Sequence, residues 1–147
     1  MSKYSHIEDA WVREALEEYK DKIDENKSHR LDISSYRVEK PWGHEEIWAH
    51  CEKYVGKLLV IKGGEKLSRQ YHEVKDETIY VLRGELILEI GKGSQIAQHL
   101  LGEGASHRIV PGTVHRFCAS PEGCTLIEVS TPELDDVIRI EDDYGRD

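Results

Sequence analysis

Gln70 and His72 stand two residues apart, so on an extended strand both side chains project to the same face. The next residues, Glu73-Val74-Lys75-Asp76, include a turn-like Val74-Lys75-Asp76 that would return Glu77 beside them on the following strand. An amide oxygen, an imidazole and a carboxylate can then converge on one point. A fourth group is wanted, and Gly112-Thr113-Val114-His115 offers an imidazole at the start of a later strand. Such a mixed oxygen and nitrogen set suits a single divalent ion of the Zn, Mn, Co, Fe or Ni group.

Positioning such a set is the task of short strands. From about Tyr36 the apolar residues alternate, and strands are expected over 46–50, 54–61, 78–82, 85–90, 96–101, 107–110, 114–118, 125–130 and 137–140. Gly63-Gly64, Arg83-Gly84, Gly91-Lys92-Gly93, Gly102-Glu103-Gly104, Pro111-Gly112 and Pro121-Glu122-Gly123 read as the turns between them. Many short strands with no helix between them predict an all-β sandwich or barrel. Ahead of this region the period changes. Ile7, Trp11, Ala15, Tyr19 and Ile23 recur every four residues, and Ser5 with Glu8 forms a capping-box pattern, which predicts a helix over 5–26. Its apolar stripe should pack against the barrel or another subunit. The chain thus divides into a helical arm and linker, 1–35, and a β domain, 36–147.

The spacing Gly64-x5-Gln70-x-His72-x4-Glu77-x6-Gly84 resembles the first cupin motif, with Gln where the first His usually stands. Gly112-Thr113-Val114-His115 resembles the core of the second. The resemblance implies an all-β cupin, a double-stranded β-helix or jelly-roll barrel, with an N-terminal α-helical arm. It implies Gln70, His72, Glu77 and His115 as metal ligands. Lys40-Pro41-Trp42-Gly43, the run from Gly64 to His72 and the Ile138-Arg139-Ile140-Glu141-Asp142-Asp143-Tyr144-Gly145-Arg146 ending are similar to the cupin module of type II phosphomannose isomerases. This narrower likeness covers about three quarters of the chain, from Tyr36 onward. No glycine-rich nucleotide-binding segment accompanies it, so no pyrophosphorylase activity is implied. In two places the chain departs from the family pattern. His72 is followed by Glu73-Val74-Lys75 in place of further histidines, and Arg69 replaces a small residue.

The implied activity is a metal-dependent sugar-phosphate isomerisation, mannose 6-phosphate to fructose 6-phosphate being the first to try. Glu73, His107 and Tyr71 are candidates by type for moving the proton. Arg146, Arg139 and Lys66 are candidates for the phosphate, and Trp42 for stacking on the sugar. Two alternatives stand beside this reading: a non-haem metal dioxygenase, and a non-catalytic sugar-binding module.

Composition bounds the partners. The net charge of −9 argues against a nucleic-acid partner but leaves a small anionic substrate open. No apolar run approaches the ~20 residues needed to cross a bilayer, so no membrane partner is expected. Cys51, Cys118 and Cys124 are odd in number with no CxxC spacing, and the opening Met-Ser-Lys-Tyr-Ser lacks a signal-peptide core; together they predict free thiols in the cytoplasm. A homodimer is expected from the apolar helix stripe and the open sheet edges.

Overall fold

The computed structural model describes residues 5–18 and 35–146. The chain divides into two compact units, Met1–Ile33 and Ser34–Asp147. In the first, α1 spans Ala10–Glu18. It begins later than the capping-box pattern suggested. Asp9 takes the N-cap place, its carbonyl accepting from the Arg13 N–H at 3.0 Å. The Arg13 guanidinium meanwhile folds back onto the carbonyls of Ile7 and Glu8, ahead of the helix. The continuation expected over 19–26 lies outside the described residues. No residue of α1 is buried, and Trp11 is 72% exposed.

The second unit holds nine strands: β1 Tyr36–Lys40, β2 Gly43–His50, β3 Val55–Ile61, β4 Arg69–Tyr71, β5 Glu77–Lys92, β6 Gln95–Leu101, β7 Ser106–Ile109, β8 Val114–Ser130 and β9 Ile138–Glu141. One path runs β1-β2-β3-β8-β4-β9, and β5 pairs with β6, β7 and β8. All pairings are antiparallel. Two pairs of expected short strands are fused into the long β5 and β8, β4 is the strand on which Gln70 was placed, and β1 appears where no strand was expected. What read as a tight turn at Arg83-Gly84 is a bulge, with register shifts between Val81 and Arg83 and between Gly84 and Leu86.

These bulges switch which residues face inward. In β5 the buried apolar side chains, with Glu77, are Ile79 and Val81 before the bulge, and Leu86 and Leu88 after it. In β8 they change from His115, Phe117 and Ala119 to Cys124, Leu126, Glu128 and Ser130 across the Pro121-Glu122-Gly123 segment. A side-chain period of two would have carried one parity straight through. Each long strand therefore lines two parts of the curled sheet. The enclosed core is built from Trp42, Leu59, Ile61, Leu67, Ile79, Val81, Leu86, Leu88, Ile109, Phe117, Ala119, Cys124 and Leu126.

Candidate metal centre and its cavity

The β5–β8 ladder pairs Glu77 with Ser130 and Ile90 with His115. On a flat sheet, thirteen residues of strand would put Glu77 and His115 about 40 Å apart. Curling brings them together: His115 Nε2 lies 3.5 Å from Glu77 Oε1. His72, just past β4, completes the group, with its Nε2 3.5 Å from Glu77 Oε2. β4 delivers it, because Gln70 pairs in register with His115. The ligand atoms of His72, Glu77 and His115 all lie within 4.8 Å of one another, and all three residues are buried.

The hydrogen bonding around the group fits it for a cation. His115 Nδ1–H donates to the Thr113 carbonyl at 2.9 Å, and His72 Nδ1–H donates to the Asp136 carbonyl. That tautomer leaves each Nε2 lone pair free. Both Nε2 atoms and Glu77 Oε1 are buried and make no hydrogen bond, while Glu77 Oε2 meets the Lys75 ammonium at 2.9 Å. Three such orphans at one point are costly unless something else satisfies them. Neighbouring ligands about 2.1 Å from an ion in tetrahedral array sit about 3.4 Å apart, which matches the 3.5 Å separations seen here. Burial holds the His115 pKa below the usual imidazole value and so favours the neutral, ligating form. Burial would raise the Glu77 carboxyl, but its polar neighbours, the Lys75 ammonium at 2.9 Å among them, outweigh it and hold Glu77 below the usual carboxylate range. Two imidazoles and one ionised carboxylate therefore face a common point.

Glu77 and Gln70 open this centre onto a cavity of about 490 Å³. Its walls carry Trp42, Leu59, Leu67 and Phe117, and the cations Lys40, Arg139 and Arg146. The family model of the cupin domain matches residues 57–130. The chain belongs to the cupin family. It is 36% identical over 131 residues to the mannose-1-phosphate guanylyltransferase ManC of Salmonella typhimurium, covering 85% of this cupin and 25% of the relative. The mannose-1-phosphate guanylyltransferase of Escherichia coli K12 is 34% identical over 141 residues, covering 92% and 27% respectively. This cupin thus spans about a quarter of the curated relatives it matches, and their names carry guanylyltransferase activity where the sequence had suggested isomerases. Among solved structures, KdgF from Halomonas sp. superposes with a TM-score of 0.61 at 20% identity, over 72% of this cupin and 94% of that chain.

The other residues singled out from the sequence fall in different places. Gln70 lines the cavity, and its Oε1 accepts from Ser68 Oγ at 2.6 Å. Trp42 is a buried core residue with one side on the cavity. Arg139 lines the cavity from β9, and Arg146 does so from beyond it, held by both carboxylate oxygens of Asp142. Lys66 is not among the cavity-lining residues; its ammonium pairs with Asp143 at 3.3 Å. Nor are Glu73, Tyr71 and His107. Glu73 is exposed, because the turn after His72 directs it outward. His107 sits on β7 opposite Ile79 with its Nδ1–H on the Arg108 carbonyl, and Tyr71 is half-buried on β4.

What the sequence reading missed is a chain of buried charges along the cavity wall. Lys75 Nζ bridges Glu77 Oε2 at 2.9 Å and Glu128 Oε2 at 3.1 Å. Lys57 Nζ bridges Glu128 Oε2 at 3.6 Å and Glu45 Oε1 at 3.0 Å. All five residues are buried and all line the cavity. Burial disfavours the charge on Lys75, yet Glu128 and Glu77 overcome it and hold its pKa above the usual lysine range. Burial likewise pushes the Glu128 carboxyl up.

Proposed function

We propose that this cupin is a metal-dependent sugar-phosphate isomerase, acting on mannose 6-phosphate and fructose 6-phosphate or a close analogue. One observation carries the reading: Glu77 of the His72–Glu77–His115 group and the neighbouring Gln70 line the same cavity as Lys40, Arg139 and Arg146, so the edge of an ion site and a set of phosphate-attracting cations share one sugar-sized space. The mannose-phosphate chemistry in the names of the relatives supports the substrate class.

His72, Glu77 and His115 would hold the ion, with Gln70 as fourth ligand once its amide turns from Ser68. A divalent ion there supplies stabilisation of the enediolate oxygens. The proton between C1 and C2 needs a titratable group on the cavity that is not a ligand. Lys75 and Glu128 meet that description and replace Glu73, His107 and Tyr71 as the groups to test. Arg146 takes the phosphate by exchanging its Asp142 carboxylate for the phosphate oxygens.

A second reading rests on the donor set. Two histidines and one carboxylate form the ligand set of non-haem iron oxygenases. One experiment separates the readings. Protein loaded in turn with Mn, Zn, Co and Fe is assayed for fructose 6-phosphate formed from mannose 6-phosphate, with oxygen uptake followed in parallel. Turnover that falls at least tenfold in Arg146→Ala, mostly through KM, supports the isomerase. No turnover with any metal, alongside oxygen uptake with Fe, supports the oxygenase. Sugar-phosphate binding without either leaves a non-catalytic binding module.

A further inference from the structure

The loop between His72 and Glu77 joins two residues of the metal centre, yet it belongs to no strand. Something must fix it, because loop backbone left to itself lets its flanking side chains drift. Three successive N–H groups of this loop converge on one carboxylate. Glu73 N–H donates to Asp136 Oδ1 at 3.1 Å, and Val74 and Lys75 N–H donate to Asp136 Oδ2 at 2.7 and 2.8 Å. Successive backbone N–H groups make an anion-binding concavity, and here a side chain of the same protein fills it. The remaining backbone groups are tied nearby. Asp76 N–H donates to Thr131 Oγ1 at 3.0 Å, Thr131 N–H returns a bond to the Asp76 carbonyl, and Gly112 N–H donates to the His72 carbonyl.

Asp136 also acts through its main chain. Its carbonyl accepts the Nδ1–H of His72, which fixes the tautomer and aims Nε2 at Glu77. His115 has a separate anchor at the Thr113 carbonyl. Asp136 therefore governs one imidazole and leaves the other alone.

We infer that Asp136 is a positioning residue for the metal centre: its carboxylate shapes the 73–75 loop while its carbonyl orients His72, so the two grips together set metal affinity. The segment carrying it, between β8 and β9, also lines the cavity through Leu134, Asp135 and Val137. The inference rests on the metal-centre reading and goes beyond it by assigning affinity to a residue outside the ligand set.

The test uses the full chain with Asp136→Ala and Asp136→Asn. Co²⁺ binding is followed by visible absorption, Zn²⁺ by competition, and histidine tautomers of the metal-free protein by ¹⁵N NMR. Asp136→Ala should raise the Co²⁺ dissociation constant about 10- to 100-fold, the range for loss of a partner that orients a ligand. Asp136→Asn should fall between, since its amide oxygen still accepts part of the N–H set. Asp136→Ala keeps the main-chain carbonyl but frees it from the 73–75 loop, so the His72 tautomer should become mixed while His115 keeps its own. A purely structural role would lower the melting temperature and leave the dissociation constant of the folded protein unmoved. A dissociation constant within twofold of wild type, in Ala or, if Ala does not fold, in Asn, overturns the inference. Wild-type protein that takes up neither Co²⁺ nor Zn²⁺ overturns the metal-centre reading and this inference together. Normal uptake with unmoved affinity overturns the inference alone.

Discussion

His115 combines three properties that are rarely cheap together: its ring is buried, its Nδ1 proton is committed to the Thr113 carbonyl, and its Nε2 has no hydrogen-bond partner. Burial holds its pKa below the unfolded value, so protonation favours the unfolded chain. The sign follows directly. As pH falls through the unfolded histidine value of about 6.5, the unfolded state takes up a proton that the folded state resists, and stability declines. The decline levels off once the pH passes below the folded pKa. Metal-free protein should therefore lose urea stability between about pH 7 and pH 5.5, and His115→Gln should flatten that slope. An unchanged slope in the variant would show that His115 is not buried neutral. At this scale the centre was legible and the charges around it were not. Spacing brought His72 and Glu77 together, because residue period and turn length determine which face they share, and the likeness of Gly112–His115 to the second cupin motif added His115. Lys75 read as a turn residue, and Lys57 and Glu128 fell inside expected strands without being singled out. Their parity held the signal: Lys57 keeps step with Val55, Leu59 and Ile61, Glu128 keeps step with Leu126, and the two pair in register. Burying such ions costs several kcal/mol each before pairing, so their retention in the wall of the cavity points to use there.

The long strands β5 and β8 decide where the centre can form. Without their bulges the β5–β8 ladder would run flat and hold Glu77 and His115 far apart. Gly84 marks the β5 bulge with φ of +76°, and a Cβ there would lie 2.3 Å from the Gly123 carbonyl oxygen. That oxygen is backbone inside the paired β8 strand and cannot move aside cheaply. Gly84→Ala should cost about 2–3 kcal/mol in urea unfolding. A loss under about 0.5 kcal/mol, the scatter of ordinary surface changes, would contradict the bulge. Reading Arg83-Gly84 and Pro121-Glu122-Gly123 as turns was chemically sound, since glycine with positive φ serves both features. Only pairing partners distinguish them, and a single sequence does not display those. β1 escaped notice because no residue of it is buried. At the far end, Arg116 explains how β9 is held: its Nε–H donates to the Leu67 carbonyl at 2.7 Å and its Nη2–H to Asp143 at 3.0 Å. Arg69 adds Glu141 at 2.6 Å. These ties keep Arg139 and Arg146 on the cavity.

At the scale of the whole molecule, the barrel leaves Tyr80, Leu82 and Val129 at least 41% exposed on β5 and β8. These side chains alternate with buried ones and so share the outer face of paired strands. The homodimer expected from the sequence would cover such a face. Sedimentation equilibrium should give twice the mass of 16.9 kDa, and a value of 16.9 kDa at micromolar concentration would remove the dimer. Cys51, Cys118 and Cys124 are free thiols, and no described helix is long and apolar enough to cross a membrane. Everything functional returns to the three residues that the curl of the sheet gathers. The most direct measurement is elemental analysis of the full chain after exposure to Co²⁺ or Zn²⁺ and removal of excess, beside the His72→Ala/His115→Ala double variant. The account predicts close to one bound ion per wild-type chain and none in the double variant. Equal metal in both proteins, or none in either, would contradict it.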